Sequence, residues 1–218
     1  MSQKQYALYD DRFLEPIAVT HIMGDPKISI IELIANSWDA GATEVTILWP
    51  EEDEQKFSIK DDGHGMTKAH FLKRFRTLAY NRIREQGSIA EIPPDHQDKI
   101  GSRPTFGRNG KGRLGGFAFG DSYTVVTSRD GQESTFKVAK DLRHTLTFQE
   151  IGDQKPNANH GTKIFIESAV KPHLSVEEAR KEIGMRFLTD PNFKVKLNGV
   201  EISFADIPED HIHEMNMI

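Results

Sequence analysis

Apolar and polar positions along this chain follow two different periods, and each change of period marks an element. From Pro26 to about Ala40 the apolar residues recur at helical spacing. Asp25 is placed to accept hydrogen bonds from the first free N–H groups, Pro26 suits the first helical position, and Gly41 suits the left-handed conformation that ends a helix. "EVTILWP" (44–50) and "FSIKD" (57–61) read as two strands joined by an acidic turn. Thr67 caps a second helix running to about Ile83, with Phe71, Leu72, Phe75, Leu78 and Ala79 on its inner face. Strand patterns return at 122–128, 133–139, 146–151 and 162–168, with an Asp130-Gly131 turn between the first two. A helix over 175–189 opens on a capping box of Ser175 and Glu178, and 193–204 forms a hairpin about Asn198-Gly199. The stretch 84–106 has Pro-Pro and no period; an irregular connection of that length is a lid, a binding loop or an unstructured segment.

These elements divide the chain into an N-terminal arm (1–24), one α/β domain (25–204) and a tail or linker (205–218) that is expected to lead toward a further C-terminal region. The chain has no Cys, which excludes disulfides and thiolate metal sites, and this fits a reducing compartment. Neither a leader pattern nor an apolar run of about 20 residues is present, so a cytoplasmic protein away from the membrane is expected. Charge alters the picture more. Net charge is −5, yet residues 68–113 hold 11 Lys and Arg against 4 Asp and Glu. Such a basic island can meet nucleic acid, a membrane face, a polyphosphate or simply solvent.

Three stretches carry candidate chemistry. In "IELIANSWDAGA" (30–41), Glu32, Asn36 and Asp39 share one helix face, while Ile28, Ile31, Leu33, Ile34, Ala35 and Trp38 cover most of the rest. That stripe either faces solvent, as on any amphipathic helix, or lines a wet cavity. In "IKDDGHGMT", Asp61 ends a strand and enters a loop in which Gly63 and Gly65 allow close backbone approach or positive φ, a way to hold a ligand amine; taken alone it reads better as a plain Asp-Gly turn. "GRNGKGRLGG" (107–116) bares backbone N–H groups just before a helix, a setting that receives anions, with Arg108, Lys111 and Arg113 adding charge. It is not a P-loop. Gly110, Gly112 and Gly115 match a dinucleotide fingerprint, but no βαβ unit surrounds them.

Taken in order, the three stretches resemble the GHKL superfamily of ATPases, which includes gyrase B, the large heat-shock chaperone, histidine kinases, MutL and MORC proteins. The matching residues are Glu32, Asn36 and Asp39-Ala40; Asp61, Gly63, Gly65 and Met66; Gly107, Gly110 and Gly112; and Gly161-Thr162, spread over roughly residues 20–170. The detail looks most like prokaryotic multidomain ATP-binding proteins near the MORC and chaperone branches. The resemblance implies a two-layer α/β sandwich of the Bergerat type, a mixed, largely antiparallel sheet covered on one face by helices, with a lid at about 67–113.

By the same resemblance, Glu32 would act as general base and Asn36 would coordinate Mg²⁺. Asp61 would accept a hydrogen bond from the adenine amino group, supported by Thr162, and Met66 would pack on the base. Gly107, Arg108, Gly110, Lys111 and Gly112 would wrap the phosphates of ATP. Asp39 would tune the Mg²⁺ site or hold the helix end. The expected function is slow, Mg-dependent ATP hydrolysis, with lid closure and ATP-dependent homodimerisation coupled to an output domain or partner protein. That further region is also expected to supply the γ-phosphate-sensing Lys or Arg. DNA is an expected partner of the longer protein. The alternatives are a non-hydrolysing ATP-sensing switch, a nucleic-acid module using residues 68–113, and a metal site at His211, His213 and Glu214.

Overall fold

The computed structural model describes residues 24–76, 87–106, 112–140 and 146–207. Helix α1 spans Pro26–Asp39; the Asp25 carboxylate accepts from the N–H groups of Lys27 and Ile28, at 2.8 and 3.4 Å, and Pro26 sits in the first turn. Its predicted cap is therefore the one it uses. Strands β1 (Glu44–Leu48) and β2 (Phe57–Asp61) follow, then helix α2 (Lys68–Arg76). Leu78, Ala79 and the predicted helix end near Ile83 lie outside the described residues, as do Gly107, Arg108, Gly110 and Lys111 and the His211/His213 tail.

The stretch 87–106 is more ordered than its composition suggests. It carries a 3-10 turn (Pro94–His96) running into a one-turn helix, α3 (Gln97–Ile100), and an isolated bridge between Ile89 and Pro104. A 3-10 segment over Gly112–Ala118 leads to strands β3 (Ser122–Arg129), β4 (Gln132–Lys140), β5 (Leu146–Glu150), β6 (Lys155–Pro156) and β7 (Gly161–Ile166). Helix α4 (Val176–Phe187) closes its N-terminus with the expected Ser175/Glu178 capping box, and β8 (Lys194–Leu197) and β9 (Val200–Glu201) form the final hairpin. The two-residue β6 has too little pattern to be read from sequence.

Among the described residues the strands make one mixed sheet in the order β5-β4-β3-β7-β2-β1-β8-β9, with β6 added to β4. Only β1 and β8 pair in parallel; the other pairs are antiparallel. Alternation decides which face is covered. Val45, Ile47, Phe57, Ile59, Tyr123, Val125, Phe136, Val138, Ile164 and Ile166 are buried, while Thr46, Lys60 and Lys163 point the other way. Phe71 of α2 stacks on Phe136 of β4 at 3.8 Å, and Phe119 stacks on Phe57 of β2 at 3.9 Å. The fold is thus a two-layer α/β sandwich. Ile28, in the first turn of α1, is 41 % exposed, unlike the apolar residues that follow it.

Candidate functional site

Asp61 ends β2 with its side chain turned toward the helical layer. Its Oδ1 accepts from the N–H groups of Gly63 (3.0 Å) and Thr162 (3.1 Å), and its Oδ2 accepts from the Ser37 hydroxyl (3.0 Å). Ser37 belongs to α1, and Thr162 comes from the neighbouring strand in register with Asp61. The carboxyl is 9 % exposed, and burial pushes its pKa from 3.8 up to about 6 against the pull of those three donors. A carboxylate offers about four acceptor positions, so three donors leave one on Oδ2. A buried acid with one acceptor position open is suited to bind a donor.

The glycines around it have separate reasons. Gly65 adopts φ +62°, and a Cβ there would fall 2.0 Å from the Ser128 carbonyl oxygen, so no side chain fits. Met66 follows; its N–H donates to the Thr127 hydroxyl at 2.8 Å, and its side chain packs partly buried against the core. The Thr127 hydroxyl is 3.2 Å from that of Thr162, so Thr162 reaches Asp61 through its backbone and β3 through its side chain.

The predicted polar stripe of α1 is divided. Glu32 is half-buried, Asn36 is exposed and Asp39 is 2 % exposed. Gly112 lies directly over the first two: a Cβ on it would come within 2.9 Å of Glu32 Oε2 and 3.0 Å of Asn36 Nδ2. The C-terminal end of the glycine-rich stretch thus sits on Glu32 and Asn36. Asp39 faces elsewhere, accepting from the Phe106 N–H at 2.6 Å.

That contact belongs to a strap that sequence reasoning missed. The Trp38 indole N–H donates to the Pro104 carbonyl (2.9 Å). Arg103, only 1 % exposed, donates to the Ala42 carbonyl (2.6 Å), pairs with Asp190 (3.0 Å) and lies 4.4 Å over the Trp38 ring. Residues 103–106 are thereby fastened to α1 just before the glycine-rich loop. An arginine in an irregular stretch gave no sign of this, since its partners lie 61 and 87 residues away. His64 was also passed over. It is buried beside Gly65, and burial lowers its pKa to about 4, so it is neutral at pH 7.

A half-buried acid and an amide thus lie under a glycine turn, beside a buried acid at a strand end, on a helix-covered mixed sheet. Comparison with known proteins gives the class of ATPase. The family model for the histidine kinase-, DNA gyrase B-, and HSP90-like ATPases matches residues 25–162, and the chain belongs to that family. It is 32 % identical over 154 residues to the DNA mismatch repair protein MutL of Streptococcus thermophilus, covering 70 % of this chain and 21 % of that protein. With MutL of Streptococcus agalactiae the figures are 28 %, 72 % and 22 %. A Herpetosiphon aurantiacus protein designated as a candidate type II restriction enzyme, HgiDII, is 24 % identical over 200 residues, covering 86 % of this chain and 30 % of that one. The chain therefore spans less than a third of the length of these relatives. Among the described residues no helix is long and apolar enough to cross a membrane.

Proposed function

We propose that the chain binds ATP with Mg²⁺ and hydrolyses it slowly, as the ATPase module of a larger protein. The observation that carries the reading is the Asp61 carboxylate, buried, held by three donors and left with one acceptor position. The adenine 6-amino group donates to that position; guanine presents a keto oxygen there and would oppose the charge. Met66 packs against the base. Asn36 would hold Mg²⁺ through its side-chain oxygen, a hard donor suited to a hard ion that offsets phosphate charge when bound. Gly107, Arg108, Gly110, Lys111 and Gly112 present N–H groups and charge to the phosphates.

Glu32 orients a water and takes its proton as the water oxygen bonds to the γ-phosphorus. The bond from that phosphorus to its bridging oxygen breaks, and ADP leaves. The position of Gly112 over Glu32 and Asn36 supports placing the phosphates there. Closure of the 67–113 lid and pairing of two chains would carry the ATP state to an output region. Relatives named for mismatch repair and restriction favour DNA as the target of that output.

Calorimetric titration with a non-hydrolysable ATP analogue and Mg²⁺ tests the pocket. The expected result is binding that GTP does not compete for and that Asp61→Asn abolishes. Binding indifferent to base and to Asp61→Asn would overturn the assignment. Steady-state turnover with Glu32→Ala tests hydrolysis: binding should survive while phosphate release falls by about a hundredfold or more. Equal binding with no turnover in the unaltered chain would instead make it a nucleotide-sensing switch.

A further inference from the structure

Two histidines and an aspartate outside the nucleotide site converge on one point. His96 and Asp95 lie in the 94–96 turn and His160 lies just before β7, with the two rings edge to face at 5.3 Å. His96 Nδ1 is 3.0 Å from the Gly41 carbonyl oxygen, and His160 Nδ1 is 2.7 Å from that of Gly63. A carbonyl only accepts, so both Nδ1 atoms carry the proton, and both Nε2 atoms turn inward. His160 Nε2 is then 2.9 and 3.1 Å from the Asp95 oxygens. His96 Nε2 is 3.9 Å from Asp95 Oδ2 and 3.6 Å from Asp62 Oδ2.

With both rings neutral, two nitrogen lone pairs would face two carboxylates, an arrangement that calls for a cation in the middle. A proton on His160 answers its contact with Asp95. It leaves His96 Nε2 facing two acids beyond hydrogen-bond distance. An ion among them satisfies all four groups. One atom from each of Asp95, His96 and His160 lies within 4.8 Å of the others. A tetrahedral ion with bonds of about 2.0–2.1 Å spaces its ligands about 3.3 Å apart, between the 2.9 and 3.9 Å that separate Asp95 from His160 and His96.

We propose that His96 Nε2, His160 Nε2 and the Asp95 carboxylate form a Zn²⁺ site, with Asp62 Oδ2 3.6 Å from His96 Nε2 as a further oxygen. Imidazole with carboxylate suits zinc and its first-row neighbours, whereas Mg²⁺ prefers oxygen ligands and water. The outer shell is already built. The carbonyls of Gly41 and Gly63 hold the two rings, while the Thr43 N–H, Thr43 hydroxyl and Glu44 N–H hold Asp62 at 2.7, 2.6 and 2.9 Å. Asp95, His96 and His160 border a polar concavity of about 800 Å³ at the uncovered face of the sheet, which gives the ion a route in. The ion would clip the turn at 94–96 to the segment just before β7, and through the ring contacts with the Gly41 and Gly63 carbonyls to the end of α1 and the Asp61–Gly63 loop. This inference goes beyond the ATPase reading and does not depend on it.

The test uses the full chain after chelator dialysis, without nucleotide, in a background carrying His211→Ser and His213→Ser so that the tail adds no ligands. Zn²⁺ alone is titrated by calorimetry, and melting is followed with and without it. Expected is one equivalent per chain, a zinc-dependent rise in Tm, and affinity about tenfold weaker or worse in both Asp95→Asn and His160→Gln. Asp95 is exposed, so its variant folds even if the histidine variant does not. Absence of a stoichiometric site, or affinity unchanged in Asp95→Asn, would overturn the proposal.

Discussion

Replacing Asp61 by Asn should make the nucleotide-free protein more stable while destroying its nucleotide site. Burial raises the folded pKa of this carboxyl from 3.8 to about 6. A raised folded pKa gives stability that is full below the unfolded pKa and lost as pH rises through the folded one. Below about pH 4 the acid is neutral in both states and costs nothing. Between about 4 and 6 the unfolded chain ionises first, and above 6 the folded protein carries the whole penalty. At about 1.4 kcal/mol per tenfold, that penalty is about 3 kcal/mol. Asn carries no charge, and its oxygen can still accept from the N–H groups of Gly63 and Thr162 while its amide donates to Ser37. The variant therefore recovers most of the penalty at pH 8 and little at pH 4. For a domain of this size each kcal/mol moves Tm by about 2–4 °C, so a gain of several degrees at pH 8 is expected. The assay is thermal melting of both proteins across pH 4–8, beside the nucleotide titration. A Tm difference that does not grow with pH, or a variant less stable at pH 8, would refute the burial argument. The cost arises because burial strips the charged carboxylate of water beyond what its three donors replace.

Other perturbations probe the supports of the site. Gly65→Ala places a methyl 2.0 Å from the Ser128 oxygen at φ +62°, so it should cost more than about 2 kcal/mol in denaturant melts or yield insoluble protein. Arg103→Ala takes the guanidinium from Asp190 Oδ2 and the Ala42 carbonyl and should cost about 3–5 kcal/mol; Arg103→Lys should rescue little, since it loses the forked geometry and the stacking on Trp38. Asp39→Ala frees the Phe106 N–H and, if the proposed site holds, should weaken ATP-analogue binding in calorimetry more than it lowers Tm, because it loosens the strap leading into the glycine-rich stretch. Ser175→Ala removes the α4 capping box and should lower Tm by about 2–4 °C for about 1 kcal/mol, with nucleotide binding unchanged.

Much of the fold is written within a turn or two of each residue. Asp25 and Pro26 start α1, Ser175 and Glu178 start α4, and Asn198-Gly199 turns the last hairpin, since each acts on backbone groups at most a few positions away. Alternation in β1 to β4 sorted the buried face from the exposed one for the same reason. The order of Glu32, Asn36, Asp61 and the glycines was legible as a family pattern, although why each residue stands there was not. That reason lies across the chain. Asp61 is held by Ser37 and by Thr162, 101 residues on, and its raised pKa exists only because the helical layer closes over it. Asp39 left the polar stripe for Phe106, Arg103 became a core residue, and Asp95, His96 and His160 met at a point no spacing announces. Local sequence dictates where elements start, stop and turn because those events are short-range. Burial, charge and convergence depend on which elements pack together, and only the tertiary structure decides that.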